Sequence, residues 1–191
     1  MSFATAIVIG LLLASCRVSP IAVLRGTALA ATEAVRNTPL TVHLILAFFG
    51  LPKLGVRFGP FTTAVVVLSL YTGAFVGEVI RSGINTVGRG QIEAARSIGL
   101  PFAKVLRLVV LPQALRATVA PLGSTLSAMV RNSALAYTIS VLDIMGRTDR
   151  LITTYARPVE LLAGAALAYF TLTIPLAFAI NAVDRRRLAS R

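Results

Sequence analysis

Long apolar runs divide this chain into five segments, and they limit its fold more than any other feature of the sequence. The segments lie at about 3–15, 21–49, 59–80, 117–142 and 159–183. A helix needs about 20 apolar residues to cross a bilayer, and in lipid every backbone polar group must be bonded internally. We therefore expect an all-α, polytopic membrane protein with about five transmembrane helices, the first of them short. We expect residues 1–191 to form a single transmembrane domain.

The composition supports a membrane protein and argues against several other classes. The chain is 56% hydrophobic and only 14% charged, whereas about a quarter of a soluble domain is charged. A net charge of +12 does not indicate nucleic-acid binding here, because long apolar runs separate the cations. One histidine and one cysteine offer neither a metal site nor a disulfide. The sequence contains no Gly-x-Ser-x-Gly motif and no Walker A loop, so we expect no catalytic residues.

The distribution of Lys and Arg predicts the orientation of the chain. If the N-terminus faces outward, the loops on the cytoplasmic side carry most of the cations, as membrane topology favours. The cytoplasmic set is Arg17, Arg25, Arg81, Arg89, Arg96, Lys104, Arg107, Arg116, Arg185, Arg186, Arg187 and Arg191, and the outer set is Lys53, Arg57, Arg147, Arg150 and Arg157. We therefore expect the C-terminus in the cytoplasm, with the basic tail 184–191 acting as an anchor.

The stretch between the third and fourth segments, 88–112, carries more charge than its neighbours. Residues 91–98 are mostly good helix formers, and Gly99 suits the left-handed position after a last helical turn. Pro101 suits the first turn of a second helix, and Pro112 marks the passage to the fourth segment. Such a helix pair can dock into a groove of a partner protein. It can equally lie among lipid headgroups, and the residues alone leave both interpretations open.

A sequence pattern favours the docking interpretation. Glu-Ala-Ala, three residues, Gly, nine residues, an aliphatic residue, one residue and Leu-Pro resembles the EAA loop of permease subunits of ABC importers. The matching residues are Glu93, Ala94, Ala95, Gly99, Val109, Leu111 and Pro112. Val109 stands where the pattern usually has Ile. We refer to residues 88–112 as the EAA loop.

The resemblance extends over nearly the whole chain. Stretches 35–52, 71–100 and 111–144 resemble the polar amino-acid permeases, and the glutamate-type permeases of actinobacteria most closely. Two departures are visible. The first span of those permeases begins before the position of Met1, and the loop 51–60 is shorter than in the glutamate-type relatives.

The resemblance implies a subunit of the type I ABC importer fold in the plasma membrane. Such a subunit forms the translocation pathway with a second permease chain, similar or identical to it. Two ATPase subunits beneath dock on the EAA loops, and an extracytoplasmic binding protein delivers the amino acid, here glutamate. ATP is then used by the partner ATPases, and this chain binds no cofactor and no metal.

Polar residues inside the apolar segments are candidates for the substrate pathway, since ionisable groups at membrane depth are costly and often functional. The candidates are Arg131, Asn132, Arg36, Thr38 and Ser127. The guanidinium of Arg131 could bind a substrate carboxylate with two hydrogen bonds. It could equally pair with Asp143 or Glu160.

Two further pairs of opposite charge lie three residues apart on one helix face. Glu33 and Arg36 precede Pro39, where they either stabilise a broken helix or line the pathway. Glu78 and Arg81 end the third segment, and a structural gate or interface pair is the favoured interpretation there.

Other kinds of transport protein fit the sequence less well. A self-sufficient secondary transporter or channel would show internal repeats and several carboxylates near the midplane, and neither is evident. An ABC permease for another amino acid, cationic or aromatic, remains open, because composition does not define the cargo.

Overall fold

The computed structural model describes the backbone of residues 2–188 and the side chains of residues 2–184. Over this part of the chain every regular element is a helix, so the expected all-α class is confirmed. The helices are α1 Ser2–Arg17, α2 Ala22–Arg36, α3 Leu40–Ile45, α4 Pro60–Asn85, α5 Arg89–Ser97, α6 Phe102–Val105, α7 Leu111–Asn132, α8 Ile144–Tyr155 and α9 Pro158–Leu188. Arg185, Arg186, Arg187 and Arg191, which we expected to form an anchor, lie outside the residues whose side chains are described.

Among the residues that the structure describes, three helical segments are long and apolar enough to cross a membrane. They are Pro60–Asn85, Phe102–Ile139 and Pro158–Asp184. A bent pair, α2 with the segment Leu40–Leu54, passes the same test as one broken span. Helix α1 is apolar but has only 16 residues, which is about 24 Å at 1.5 Å per residue.

The second apolar segment breaks at Pro39, as its sequence suggests. Helix α2 ends at Arg36, α3 begins at Leu40, and the chain turns by 101° between them. Proline cannot donate a backbone hydrogen bond, and it disfavours helical geometry in the residue before it. The Thr38 hydroxyl donates to the Ala34 carbonyl at 2.8 Å, which satisfies one of the acceptors freed at the end of α2.

The EAA loop continues into the fourth apolar segment as one helical segment, and Pro112, which marks this passage in the sequence, lies within it. A π-helical turn, Leu106–Val110, joins α6 to α7, and Pro112 lies in the first turn of α7. A π turn forms backbone hydrogen bonds between residues five apart. It therefore shifts the helical hydrogen-bond pattern just before Pro112, which has no backbone N–H to donate. The helical segment therefore runs from Phe102 to Ile139.

Helix α4 lies at the centre of the fold and packs against α1, α2 and α7. Glycines permit its close crossing with α1. A Cβ atom added to Gly73 would lie 2.9 Å from Ile9 Cβ, and one added to Gly77 would lie 3.2 Å from the Gly10 carbonyl oxygen. Small residues at this spacing are also typical of helix pairing between chains. In this structure they serve packing within the chain.

Helix α8 follows the fourth apolar segment and was not expected. Asp143 precedes its first turn, and the Asp143 carboxylate accepts a 2.8 Å hydrogen bond from the Gly146 backbone N–H. This is an N-cap, which satisfies one of the free donors at the start of a helix. Helix α8 packs against α9, whose Tyr169 hydroxyl donates to the other oxygen of Asp143 at 3.4 Å.

Candidate functional site

The first part of the candidate site is the turn that ends α5 in the EAA loop. Gly99 has a φ of +83°, in the left-handed region. Its N–H donates to the Arg96 carbonyl at 3.0 Å, and the Leu100 N–H donates to the Ala95 carbonyl at 3.3 Å. Together these bonds form a Schellman motif, in which a left-handed residue closes the helix. The left-handed position expected at Gly99 is therefore present in the structure.

A small apolar cluster fixes α5 against the start of the long helical segment. Val87, Ala95, Val105 and Val110 are buried in it, and Val109 is packed at its edge. The side chains of Gln91 and Gln113 add a 2.6 Å hydrogen bond between α5 and α7. The cluster therefore fixes the position of α5 relative to the start of the long helical segment. We call this arrangement the corner.

The residues of the EAA pattern divide between the inside and the outside of this corner. Ala95 and Val109 face the apolar cluster, whereas Glu93, Ala94 and Gly99 are exposed. Leu111 and Pro112 are also exposed at the base of α7. Two large apolar side chains next to the pattern are also exposed to solvent, Ile98 at 77% and Phe102 at 72%. An exposed surface of small, acidic and apolar groups is suited to contact with another protein.

A cavity of about 270 Å³ lies between α4 and α7. Its walls carry two aromatic rings and several hydroxyl and amide groups: they are Tyr71, Thr72, Phe75, Ser124, Thr125, Ala128, Met129 and Asn132. We name it the α4–α7 cavity. Of the predicted pathway residues, it contains Asn132.

A second cavity, of about 390 Å³, lies between α7 and α9. Arg131 and Ser127 line it, together with Ser124, which also lines the α4–α7 cavity. We name it the α7–α9 cavity. No ion pair joins Arg131 to Asp143 or Glu160 in the described part of the chain. The predicted residues Arg131 and Asn132, adjacent in sequence, therefore line different cavities.

The charged pairs at α2 and α4 belong to one cluster. Glu78 contacts Arg17 at 3.2 Å, Arg36 at 3.9 Å and Arg81, whose Nε lies 3.0 Å away. Arg36 also lies 3.6 Å from Glu33. We name these five residues the Glu78 cluster. The sequence indicated the two local pairs, but the contacts that Arg17 and Arg36 make with Glu78 join separate helices and leave no local pattern.

Arg36 does not line the α4–α7 cavity, but it contacts an aromatic ring that does. Its guanidinium carbon lies 5.5 Å from the centroid of Phe75, within the range of a cation–π contact. Phe75 in turn lines the cavity that contains Asn132. Thr38, by contrast, lines neither cavity, and its hydroxyl is engaged with the Ala34 carbonyl. Phe75 was not singled out from the sequence, since an aromatic residue in an apolar helix is an ordinary packing residue.

His43 lies beside the aromatic wall of the cavity. Its ring meets Tyr71 edge to face, with 5.9 Å between the ring centroids. Its Nδ1 lies 3.2 Å from the Pro39 carbonyl oxygen. These contacts are those of a packing residue.

Comparison with known proteins finds close relatives over nearly the full length. The family model "Binding-protein-dependent transport system inner membrane component" matches residues 6–188. The glutamate transport system permease protein GluC of Corynebacterium glutamicum is 37% identical over 95% of this chain and 85% of the relative. The probable glutamine ABC transporter permease protein GlnM of Bacillus subtilis is 34% identical over 97% of this chain and 86% of the relative.

Solved structures show the same fold. A crystal structure of an amino acid ABC transporter with histidines superimposes with a TM-score of 0.92. It is 32% identical and covers 97% of this chain and 86% of that chain. An inward-facing structure of the MetNI methionine ABC transporter, at 22% identity, shares the fold with a TM-score of 0.77. The chain therefore belongs to the inner-membrane permease components of binding-protein-dependent transport systems, as an amino-acid ABC importer permease of the type I fold.

Proposed function

We propose that this chain is the permease subunit of an ATP-driven importer for glutamate. The observation that carries the proposal is its identity of 37–38% with two glutamate permeases over more than nine-tenths of its length. Relatives named for glutamine and arginine transport, at 34% identity, make another polar amino acid the alternative cargo. The match to one family model over residues 6–188 supports a single permease domain over residues 1–191.

The EAA loop is the proposed contact with the ATPase subunits. Glu93, Ala94 and Gly99 are exposed on the corner. Ala95 and Val109 pack into the apolar cluster beneath it. Leu111 and Pro112 begin the helix that continues from this corner towards the two cavities. A closing ATPase dimer would therefore move the start of α7 through a firm contact, as transmission between rigid elements requires. ATP is bound and hydrolysed by the partner chains, and this chain needs no cofactor or metal.

The proposed assembly contains a second permease chain, similar or identical to this one, two ATPase subunits and an extracytoplasmic binding protein. The family description itself names dependence on a binding protein. We place the complex in the plasma membrane with the C-terminus in the cytoplasm. The excess of Lys and Arg on the side of the EAA loop supports that orientation.

The proposed substrate pathway passes the polar groups of α7 and the break between α2 and α3. Asn132 lines the α4–α7 cavity, and Ser127 and Arg131 line the α7–α9 cavity. Arg36 and Thr38 lie at the end of α2. Their hydroxyl, amide and guanidinium groups can replace the water that an amino acid loses on entering the membrane.

The proposal is tested by purifying the tagged chain from its native membrane in mild detergent and identifying the proteins that accompany it. We expect an ATPase subunit and a second permease chain. The purified complex is then placed in liposomes with the binding protein, and uptake of labelled glutamate is measured with and without ATP. Competition by unlabelled glutamine and arginine defines the cargo. Uptake without ATP by the chain alone would identify a secondary transporter instead.

A further inference from the structure

The three arginines of the Glu78 cluster differ in how closely they contact the carboxylates. Arg81 and Arg17 make hydrogen bonds to the Glu78 carboxylate. Arg36 lies 3.9 Å from Glu78 and 3.6 Å from Glu33, and both distances exceed a normal hydrogen bond. The Glu78 carboxylate is thus occupied by the other two guanidinium groups, and Arg36 is held by weaker, longer contacts.

Arg36 also retains unused bonding capacity. Its Nε atom is buried and has no hydrogen-bond partner among the residues that the structure describes. Buried donors without a partner are rare in native proteins, and each requires an explanation. The cluster holds three guanidinium groups against two carboxylates, so one more negative charge would bring it to neutrality. A carboxylate is the group that a guanidinium binds best, through two parallel hydrogen bonds.

The neighbouring cavity offers the complementary chemistry. Phe75 contacts the Arg36 guanidinium and also lines the α4–α7 cavity. The same cavity contains Ser124, Thr125 and Asn132, whose side-chain oxygens can accept hydrogen bonds from an ammonium group. The Thr125 hydroxyl already donates to the Pro121 carbonyl, which leaves its oxygen free to act as an acceptor.

We propose that Arg36 binds the α-carboxylate of the transported amino acid at the Phe75 wall of the α4–α7 cavity. The Phe75 ring would turn aside to admit the carboxylate, and the hydroxyl and amide oxygens on α7 would hold the ammonium group. Arg36 is then a specificity-determining residue for zwitterionic amino acids. This inference rests on the proposed function, because it assumes that the chain carries amino acids.

The test measures binding of labelled L-glutamate and L-glutamine to the purified permease–ATPase complex by equilibrium dialysis. Arg36→Gln should weaken binding of both ligands by about tenfold to a hundredfold, the range for losing a hydrogen bond to a charged group. Arg25→Gln is the matched control, because Arg25 lies on the same helix outside the Glu78 cluster and its guanidinium donates to the Ser19 carbonyl. Its affinities should equal those of the wild type. Co-purification of the ATPase subunit reports whether each variant is assembled.

Arg36→Lys keeps the charge and provides a second test if Arg36→Gln does not assemble. It should still weaken binding, because an ammonium group does not reproduce the two parallel bonds of a guanidinium. Wild-type affinity in both Arg36 variants would overturn the inference, as would equal losses in Arg36→Gln and Arg25→Gln. A loss for glutamate alone would assign Arg36 to the side-chain carboxylate and overturn the α-carboxylate assignment. If the wild-type complex bound neither amino acid, the proposed function would fail as well.

Discussion

Replacement of Gly99 should uncouple the EAA loop without disturbing the rest of the fold. A Cβ atom at this position would meet nothing within 4 Å, so the cost of Gly99→Ala comes only from the φ of +83°. A left-handed conformation costs an L-residue about 1–2 kcal/mol. If the ATPase subunit binds only the closed turn, its affinity should fall by about 5-fold to 30-fold, at tenfold per 1.4 kcal/mol.

The same loop supplies the control. Gly90 also has open space around its Cβ position, but its φ is outside the left-handed region. Gly90→Ala should therefore leave affinity unchanged. Gly99→Asn should lie between the wild type and Gly99→Ala, because asparagine tolerates the left-handed region better than alanine. The measurement is titration of the purified ATPase subunit onto the permease in nanodiscs, together with ATP-driven uptake.

Equal affinities for the Gly90→Ala and Gly99→Ala variants would refute this reasoning. So would a Gly99→Asn variant that binds more weakly than Gly99→Ala, because backbone conformation would then not decide the outcome. Gly99→Asp, which adds a side chain and a negative charge at the left-handed turn, should lose the ATPase subunit from the pull-down.

Two further predictions concern packing and topology. Gly73→Val should lower the free energy of unfolding by about 1–3 kcal/mol, as overpacking does. Thermal unfolding in detergent measures this loss. Gly26→Val should lower the free energy of unfolding far less, because nothing lies within 4 Å of its Cβ position. Lys104→Cys should react with a membrane-impermeant maleimide only from the cytoplasmic side and Lys53→Cys only from outside, with Cys16 replaced in both; the reverse pattern would contradict the proposed orientation.

Local patterns in the sequence were enough to predict some features of the site. Gly99 followed by Pro101 indicates the end of one helix and the start of another, and the structure has a left-handed Gly99 between α5 and α6. Glu78 and Arg81 lie one turn apart, so their contact follows from helical geometry alone. In each case the relevant residues lie within a few positions of each other.

Other features depend on how distant helices pack, and the sequence does not reveal them. Arg17 donates a hydrogen bond to Glu78, which lies 61 residues away in the sequence. Gly73 packs against α1 of the same chain, although a glycine face can equally pack against another subunit. The π turn that precedes Pro112 is likewise not evident from the sequence. The missed helix α8 did have a local signal, the capping residue Asp143.

The 38-residue helical segment Phe102–Ile139 is longer than a bilayer crossing requires. At 1.5 Å per residue it measures about 57 Å, nearly twice the thickness of a hydrocarbon core of about 30 Å. A tilt of about 5° around its midpoint would move each end by about 2.5 Å in opposite directions. If the segment tilts as one unit, a small push at the EAA loop produces a displacement in the opposite direction at Asn132. The cavities at its far end could widen without any change in their own hydrogen bonds.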